Sequence, residues 1–243
     1  MDLLVFDISG KFAHFRKYYT NSSSLTYLVP PRTSIYGLIA GILGLERDSY
    51  YEKFNLEEAL IGVKILSENR RIMQSLNYLK LEGKSDFVAP KNHTQIPFEV
   101  LTNDKCVKYR IYFSHKDEEI MEELRRRLRN KKYYYSPYLG VAPFGCKIEL
   151  IEYRKNEYKE VHEKISIDSI VNVKYIQDET IDLISKPLML AREIMPRYFN
   201  KDRFLQETAS YILETRGEAL EMCVNEKVMS IEYEDKIENI VFM

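Results

Sequence analysis

The sequence predicts an α+β fold, in which a ferredoxin-like βαββαβ domain carries a hairpin insertion and precedes a small β-rich subdomain. Strand and helix patterns follow one another in the order β-α-β-β-α-β within residues 1–150, which places two helices on one face of an antiparallel sheet. About forty residues, 67–106, separate two strand patterns that should be neighbours, and a connection of that length is typically a functional extension. We therefore expect two units, at residues 1–150 and 151–243.

A polar, aromatic and basic loop separates the first strand from the first helix. Residues 3–9 form an apolar run of strand-forming residues that Gly10 ends, which predicts a buried strand. Pro31 suits the entrance of a helix, and Thr33 or Ser34 is expected to cap its N-terminus. The helix then continues to about residue 44.

This first helix contains Gly37, Gly41 and Gly44, although a glycine inside a helix costs about 0.5–1 kcal/mol relative to alanine. The glycines predict that another backbone or a ligand comes close to the helix. Close packing of the helix on the sheet is the favoured explanation for Gly41 and Gly44. Gly37 is expected in the first turn, where amide groups and the positive end of the helix dipole bind phosphate. The residues around that point are Arg32, Thr33, Ser34 and Tyr36.

The other elements of the first domain follow from periodicity. Residues 58–66 and 107–114 predict two strands, the second from a clean alternation of apolar and polar residues. Residues 114–117 form a capping-box pattern, and the helix that follows has an apolar stripe, acids at its start and basic residues at its end. A fourth strand is predicted at 146–154.

The C-terminal part is less regular. Residues 186–195 predict a helix that stops at Pro196. Short strands are predicted at 210–215, 227–235 and 236–243, the last two joined by a tight turn. These strands indicate the small β-rich subdomain.

The charges are unevenly distributed, although the formal net charge is only −1. Residues 1–148 hold 23 Lys and Arg against 17 Asp and Glu, a net charge of +6. Residues 149–243 hold 13 against 20, a net charge of −7. A basic part joined to an acidic part predicts a side of the molecule that binds anions, with chance variation between the halves as the alternative.

Cysteine usage and hydropathy indicate the compartment. Three scattered cysteines without a C-x-x-C pair argue against a disulfide framework or a structural zinc and favour a reducing environment. The N-terminus does not fit a signal peptide, and the longest apolar run, 35–45, is too short to span a membrane. We therefore expect a soluble cytoplasmic protein, with no membrane association and no metal or other cofactor.

Two stretches have the composition of a nucleic-acid-binding surface. Residues 10–27 interleave basic side chains with rings, which single-stranded nucleic acid needs for its phosphates and unstacked bases. The basic members are Lys11, His14, Arg16 and Lys17, and the rings are Phe12, Phe15, Tyr18, Tyr19 and Tyr27. The alternative is a surface loop whose rings pack back on the domain. Residues 125–140 join basic residues, which suit a helix C-terminus, to a tyrosine-rich turn that presents rings to bases or to a protein.

The sequence contains few signals of catalysis. It has no dinucleotide fingerprint, phosphate-binding loop or nucleophile elbow, and no histidine pair with metal-ligand spacing. A metal-free ribonuclease needs only a general base and a general acid near a 2′-hydroxyl, and His115, Lys116 and Tyr36 are the candidates. His115 and Lys116 also fit the N-terminal turn of a capped helix, which is the favoured interpretation.

The segment FDISGKFAHFRKYYTNSSSLTYLVPPRTSIYGLIAGILGL (6–45) resembles the N-terminal signature of a CRISPR-associated family. This family comprises the RAMP-superfamily subunits that cap the 5′ handle of the guide RNA in type I Cascade complexes, the fifth Cas family. NHTQIPFEVLTNDKCVKYRIYFS (92–114) and YYYSPYLGVAPF (133–144) are similar to its later blocks, in the right order. The likeness covers about residues 1–150 and has the character of the type I-B branch.

The resemblance implies a ferredoxin-like (RRM-like) RAMP domain with a thumb hairpin, in a non-catalytic subunit that binds the crRNA 5′ handle for antiviral defence. Its implied partners are the crRNA, the Cascade backbone subunit against which the thumb presses, the large subunit and, through the complex, target DNA. The residues implied to face the handle are Lys11, His14, Arg16, Lys17, Tyr27, Arg32, Thr33, Ser34, Tyr36 and Gly37. Arg70, Arg71, His93 and Gln95 belong to the thumb and its base, and Tyr138, Leu139 and Gly140 to a loop near the handle.

Two alternatives stay open. Members of the type I-C branch are metal-independent endoribonucleases that process precursor RNA, and His115 with Lys116 keeps that activity as the second interpretation. The third is an adaptor that docks a basic protein through its acidic C-terminal part without touching RNA. An RNA-binding face predicts an affinity that falls steeply with salt, whereas the adaptor predicts indifference to RNA.

Overall fold

The central sheet of the protein is built by residues 4–151, and the rest of the chain forms three smaller sheets. The structure, a computed structural model, describes residues 2–90, 92–161, 163–177, 181 and 187–243. Over these residues the architecture is mixed, with mostly antiparallel sheets and few helices, as the predicted α+β class requires.

The first part of the chain forms five strands and three helices in its described residues. They are β1 (Leu4–Ala13), α1 (Arg32–Leu43), β2 (Ala59–Ile65), β3 (Arg70–Lys80), α2 (Lys84–Val88), β4 (Asn92–His115), α3 (Glu118–Asn130) and β5 (Lys147–Ile151). The strand order is β2-β4-β1-β5 with every neighbouring pair antiparallel, and β3 pairs with the N-terminal half of β4.

Both faces of the central sheet are buried, which explains why β1 is almost continuously apolar. One face packs against α1 and α3, and this core contains Phe6, Ile35 and Leu124. The other face belongs to a second core that contains Val5 and Tyr112 together with residues of the C-terminal part. Successive side chains of a strand point to opposite faces, so Val5 and Phe6 enter different cores.

Helix α1 begins two residues earlier than the first of the expected caps allows. Pro31 is its N-cap and no side chain caps it, so the prediction that Thr33 or Ser34 is the cap was wrong. Both residues lie in the first turn, because the fixed φ of proline already starts the helix. Gly44 ends the helix in the left-handed conformation, with φ of 81°, where a glycine avoids the steric cost of a Cβ.

Helix α3 is capped three residues after the predicted position. The carboxylate of Asp117 accepts hydrogen bonds from the amides of Glu119 and Ile120, while Ser114 lies inside β4. The pairing of β4 with β2 extends past Ser114 and holds this residue in the sheet, which overrides its preference for a capping position. The buried stripe of the helix consists of Met121, Leu124 and Leu128.

A hairpin projects from the sheet where the forty-residue insert was predicted. It consists of β3, α2 and the start of β4, residues 70–102, and is called the arm below; its register runs from Arg70 opposite Thr102 to Lys80 opposite Asn92. Most arm side chains are exposed, including Phe87 (75% exposed) and Val88 (89%) near its tip. Exposed apolar side chains in such a cluster mark a contact surface.

The C-terminal part contains only strands and one 3₁₀ turn in its described residues. The strands are β6 (Lys155–Lys159), β7 (Ile165–Ile167), β8 (Val171–Asn172), β9 (Leu190–Phe199), β10 (Leu205–Glu214), β11 (Leu220–Met222), β12 (Val228–Glu232) and β13 (Ile237–Ile240). They form the sheets β8-β10-β9, β7-β11 and β13-β12-β6. The strands predicted at 210–215, 227–235 and 236–243 overlap β10, β12 and β13.

The helix predicted at 186–195 was wrong for the part that the structure describes. Residues 190–195 belong to β9, which continues through Pro196, and residue 186 lies outside the described residues. Pro196 pairs with Thr208 beside a register shift, on an edge strand. A bulge on an edge strand tolerates a residue without an amide hydrogen. The strand therefore continues through Pro196, where the prediction had a helix end.

A buried ionic network joins the C-terminal part to the central sheet. Arg110 of β4 donates to Asp7 of β1, at 2.8 Å from Nε, and to Glu238 of β13, at 3.1 Å. Glu238 also accepts from Lys64 at 2.9 Å and from the hydroxyl of Tyr112 at 2.7 Å. Removing one member of a buried pair leaves an uncompensated charge, so each carboxylate is structurally required.

We expect Glu238→Gln to destabilise the protein by about 3 kcal/mol, because it leaves Arg110 and Lys64 buried without their shared counter-charge. Burial alone would raise the pKa of the Glu238 carboxyl, but Lys236, Lys64, Tyr112 and Arg110 outweigh it and hold that pKa well below its usual range. The stabilisation is therefore present above the unfolded pKa of 4.5 and lost as the pH falls below it.

Urea unfolding of both proteins at neutral and acidic pH measures this prediction. The exposed Glu234→Gln is the matched control and should leave the free energy of unfolding unchanged. Equal stability of the Glu238 variant and the parent at neutral pH would contradict the role of the network.

Candidate nucleic-acid interface

The tyrosine-rich segment after α3 runs along the C-terminal half of α1. This segment, residues 133–145, is called the tyrosine loop below. The amide of Tyr134 donates to the carbonyl of Ile42, and the amide of Tyr135 to that of Gly41, both at 3.1 Å. The last carbonyls of a helix lack partners within the helix, so the loop satisfies them and is fixed against α1 in return.

The tyrosine loop then turns back onto the end of β1. The amide of His14 donates to the carbonyl of Leu139 at 3.1 Å, and the amide of Leu139 to that of Phe144 at 2.7 Å. Gly140 has a φ of 86°, and a Cβ there would overlap the carbonyl oxygen of His14. Glycine is therefore required at residue 140 for the loop to approach β1.

A groove of about 580 Å³ lies between α1 and the tyrosine loop. Its lining residues are glycine, aliphatic, aromatic or hydroxyl-bearing: Ser34, Gly37, Leu38, Gly41, Tyr50, Tyr135, Ser136, Pro137, Tyr138, Gly140 and Ala142. No Lys, Arg, Asp or Glu from the described part of the chain is among them. The groove thus offers rings and hydroxyl groups but no formal charge.

The glycines of α1 have different surroundings from those expected. A Cβ on Gly41 would meet no heavy atom of the described residues within 4 Å, so the expected packing of Gly41 on the sheet was wrong and its face opens on the groove. At Gly44 a Cβ would come within 2.5 Å of the ring of Tyr134, so the close approach is to the tyrosine loop. Gly37 lies in the second turn of α1, which contradicts its expected place at the phosphate-binding first turn.

The predicted RNA contacts of Arg32 and Tyr36 are contradicted, because both side chains are buried. Arg32 donates to the carbonyls of Arg197, Asn55 and Ala59, and burial lowers the pKa of its guanidinium to about 10. Tyr36 stacks on Phe54 inside the main core. An arginine beside a double proline gives no sequence signal of burial, since arginine is almost never fully buried without partners.

Three further predicted contact residues are also internal. Tyr27 and Leu139 are buried in the main core. The ring of His14 is stacked on Phe98 and held by the carbonyl of Glu99, at 2.6 Å from Nδ1, and by the hydroxyl of Ser24, at 3.0 Å from Nε2. Direct contact of their side chains with RNA was therefore a wrong prediction, and they position the segments that form the surface.

Three of the predicted cations already form ion pairs within the protein. Lys17 and Arg71 both bind the buried carboxylate of Glu193 in β9, at 2.6 and 2.8 Å. By binding both cations, Glu193 fixes the basic loop and the base of the arm to the C-terminal part. Arg70 forms an exposed ion pair with Asp104, which is worth little because water screens it.

The remaining predicted residues are accessible. Lys11 and Arg16 are exposed, and neither forms an ion pair with any residue that the structure describes. The guanidinium of Arg16 donates to the carbonyl of Thr20 at 3.0 Å, which leaves its other amino groups available. His93 and Gln95 are exposed on the arm, Thr33 and Ser34 are half-buried at the start of α1, and Ser34, Gly37, Tyr138 and Gly140 meet at the groove.

Seven lining residues of the groove were not among the predicted contacts: Leu38, Gly41, Tyr50, Tyr135, Ser136, Pro137 and Ala142. Tyr135, Ser136 and Pro137 belong to the tyrosine-rich turn, whose composition could have included them together with Tyr138. Tyr50 has no such signal, because it lies in a loop after α1 and reaches the groove only through the fold.

The candidate catalytic residue His115 is engaged on both ring nitrogens. Its Nδ1 accepts from the amide of Asp117 at 2.9 Å, and its Nε2 lies 2.8 Å from the carbonyl of Lys53. Among the described residues, no group of His, Cys, Asp or Glu side chains is arranged to hold a metal ion. No helix in the described ranges is long and apolar enough to cross a membrane.

Comparison with known proteins agrees with this architecture. The family model of the CRISPR-associated protein (Cas_Cas5) matches residues 3–178. A CRISPR protein from Archaeoglobus fulgidus shares 14% identity over 98% of both chains, with a TM-score of 0.55. A chain of a CRISPR RNA-guided surveillance complex shares 13% identity over 92% of both chains, with a TM-score of 0.52. At such low identity the two structures share the fold with this chain, and no curated protein matches its sequence.

We expect the stability of the protein to fall as the pH drops below the ordinary histidine pKa of 6.5, because of His14. Burial lowers the pKa of His14 and outweighs the raising effect of its hydrogen bond to the Glu99 carbonyl, and the nearby charge of Arg16 lowers the pKa further. The unfolded chain therefore takes up a proton that the folded chain excludes.

The free energy of unfolding at neutral and mildly acidic pH measures the effect, which is at most about 1.4 kcal/mol per pH unit for one proton. His14→Gln should reduce the pH dependence, whereas the exposed His93→Gln should retain it. An unchanged pH dependence in the His14 variant would exclude this histidine as the cause.

Proposed function

Because the chain belongs to the CRISPR-associated Cas5 family, we propose that it is a non-catalytic crRNA-binding subunit of a type I Cascade surveillance complex, of the I-B branch. In this proposal it holds the 5′ handle of the guide RNA, contacts the backbone and large subunits in the cytoplasm, and reaches target DNA only through the complex. The observation that carries the proposal is the meeting of β1, α1 and the tyrosine loop, three segments distant in sequence, on one accessible surface.

The chemistry of this surface supports a single strand as its ligand. Lys11 and Arg16 supply accessible positive charge on the segment around His14, whose amide bonds to the tyrosine loop, and the groove supplies rings. Single-stranded nucleic acids bind to this combination of cations for the backbone and aromatic faces for the bases. The surveillance complex that contains one of the structurally similar chains is RNA-guided, which agrees with a role of this kind.

The strand order of the central sheet also supports a ferredoxin-like layout. The antiparallel order β2-β4-β1-β5, with α1 and α3 in the two crossover connections, is the order that this layout requires once the arm is set aside. We propose that the arm is the thumb of the subunit. Its exposed Phe87 and Val88 support a contact with the backbone subunit.

The engaged ring of His115 supports a non-catalytic role. A general base needs an unpaired nitrogen within reach of the 2′-hydroxyl, and both nitrogens of His115 already have partners in the chain. Of the other two candidates, Tyr36 is buried, and Lys116 is exposed and forms an ion pair with Glu58. A ribonuclease would need these groups to be rearranged.

Incubation of the purified chain with repeat RNA in the presence of EDTA tests this part of the proposal. We expect the RNA to bind and to remain intact, because both ring nitrogens of His115 are engaged and Tyr36 is buried. Specific cleavage at the handle boundary, lost in His115→Ala, would instead favour the metal-independent endoribonuclease.

We expect the double substitution Lys11→Ala and Arg16→Ala to weaken RNA binding and to reduce the slope of log affinity against log salt by about 1.4. Each cation that contacts a phosphate of a single strand contributes about 0.7 to that slope. Binding titrations of the repeat RNA over a range of salt concentrations measure the change. The exposed pair Lys201→Ala and Lys227→Ala is the control, and a parent protein that does not bind RNA would favour the adaptor.

A further inference from the structure

We propose that the groove between α1 and the tyrosine loop receives unstacked nucleobases of a single-stranded RNA, while the phosphates stay outside on Lys11 and Arg16. The inference rests on the proposed function, and it states which part of the RNA enters the groove. Its basis is the chemistry of the lining residues and the shape of the groove floor.

The walls of the groove are aromatic and accessible. Tyr135 is 58% exposed and Tyr138 is 46% exposed, although both belong to a loop that backbone hydrogen bonds hold in place. Tyr50 lines the opposite side and packs on Tyr51 and Phe54 from behind. Rings that are fixed by their backbone and still present a free face are what base stacking needs, at about 1–3 kcal/mol per base.

The absence of formal charge excludes phosphate from the groove interior. None of the described residues that line it is ionisable at neutral pH, so a phosphate inside would lose water without gaining a counter-charge. A neutral base avoids that cost. The hydroxyl groups of Ser34 and Ser136 can still meet the polar edges of a base.

The glycines give the groove its depth. Gly41 has no neighbouring heavy atom of the described chain within 4 Å of a Cβ position, and at Gly37 the nearest is the hydroxyl of Tyr50 at 3.6 Å. Gly41 therefore costs helix stability without allowing any packing within the chain. What it allows is the approach of a flat ligand to the backbone of α1.

A peptide is a poorer occupant than a base. An extended peptide would need unpaired backbone groups along the groove. The amides of Tyr134, Tyr135 and Leu139 already donate to Ile42, Gly41 and Phe144. Stacking needs no backbone partner, so these engaged amides do not hinder a base.

The substitution Gly41→Leu tests the inference, because a Cβ at residue 41 meets no heavy atom of the described chain within 4 Å and the rest of the new side chain extends into the groove. Leucine is also the better helix former, so thermal unfolding should show a midpoint at or above that of the parent protein. The probes are octauridylate and an abasic ribose-phosphate octamer with the same number of phosphates. Gly83→Leu, on the arm, is the matched control.

We expect the full-length parent and the Gly83 variant to bind octauridylate about tenfold or more tightly than the abasic octamer, since one stacked base supplies that difference. Gly41→Leu should bind both probes with the affinity that the parent has for the abasic one. Tyr135→Ala combined with Tyr138→Ala should give the same result by removing the rings.

The outcomes distinguish failure of base binding in the groove from failure of RNA binding by the chain. A parent that binds both probes equally, or a Gly41 variant that keeps the preference for bases, overturns the inference and leaves the RNA-binding function standing. A parent that binds neither probe and no repeat RNA overturns the proposed function together with the inference.

Discussion

The geometry of the candidate interface depends on one close contact, between Gly140 and the carbonyl of His14. A side chain at residue 140 would overlap that carbonyl, so the tyrosine loop can reach β1 only through glycine. His14 is itself held by Glu99 and Ser24 and by the ring of Phe98. The contact thereby connects the tyrosine loop, the end of β1 and the base of the arm. Because all of these partners are backbone atoms or buried side chains, the groove beside α1 exists before any ligand binds.

The opposite net charges of the two halves of the chain are partly an internal match. Glu193 in the acidic C-terminal part pairs with Lys17 and Arg71, and Glu238 pairs with Lys64 and Arg110. Carboxylates of the second half thus neutralise cations of the first half inside the protein. This use of the acidic residues weakens the argument for an acidic docking surface, on which the adaptor interpretation depended. It also means that the basic excess of the first half overstates the charge available to RNA.

Local patterns placed the strands and helices of the first part to within a few residues, because β1 is a continuous apolar run and α3 has a regular apolar stripe, but they misplaced the N-caps of α1 and α3. They failed where tertiary contacts decide. Residues 190–195 have helix-forming composition, but pairing with β10 makes them a strand, with Pro196 at a register shift. The same limit applies to the site: composition identified the basic loop and the tyrosine-rich turn, whereas the burial of Arg32 and the pairing of Lys17 depend on residues 197 and 193, far away in sequence. Only Lys11 and Arg16 of the basic loop combine the predicted charge with an exposed position.

The cations lie outside the groove and the rings line it, and neither group distinguishes one base from another. Phosphate contacts carry no sequence information, and stacking on tyrosine accepts every base because every base has a flat face. Lys11, Arg16 and the rings of the groove therefore supply affinity and a preference for single strands. Discrimination between bases has to come from the few polar groups at the groove, of which Ser34 and Ser136 are the hydroxyl-bearing side chains besides tyrosine. In the proposed function, this chain recognises the flexible, unpaired character of a strand end, and the spacer sequence is read by base pairing.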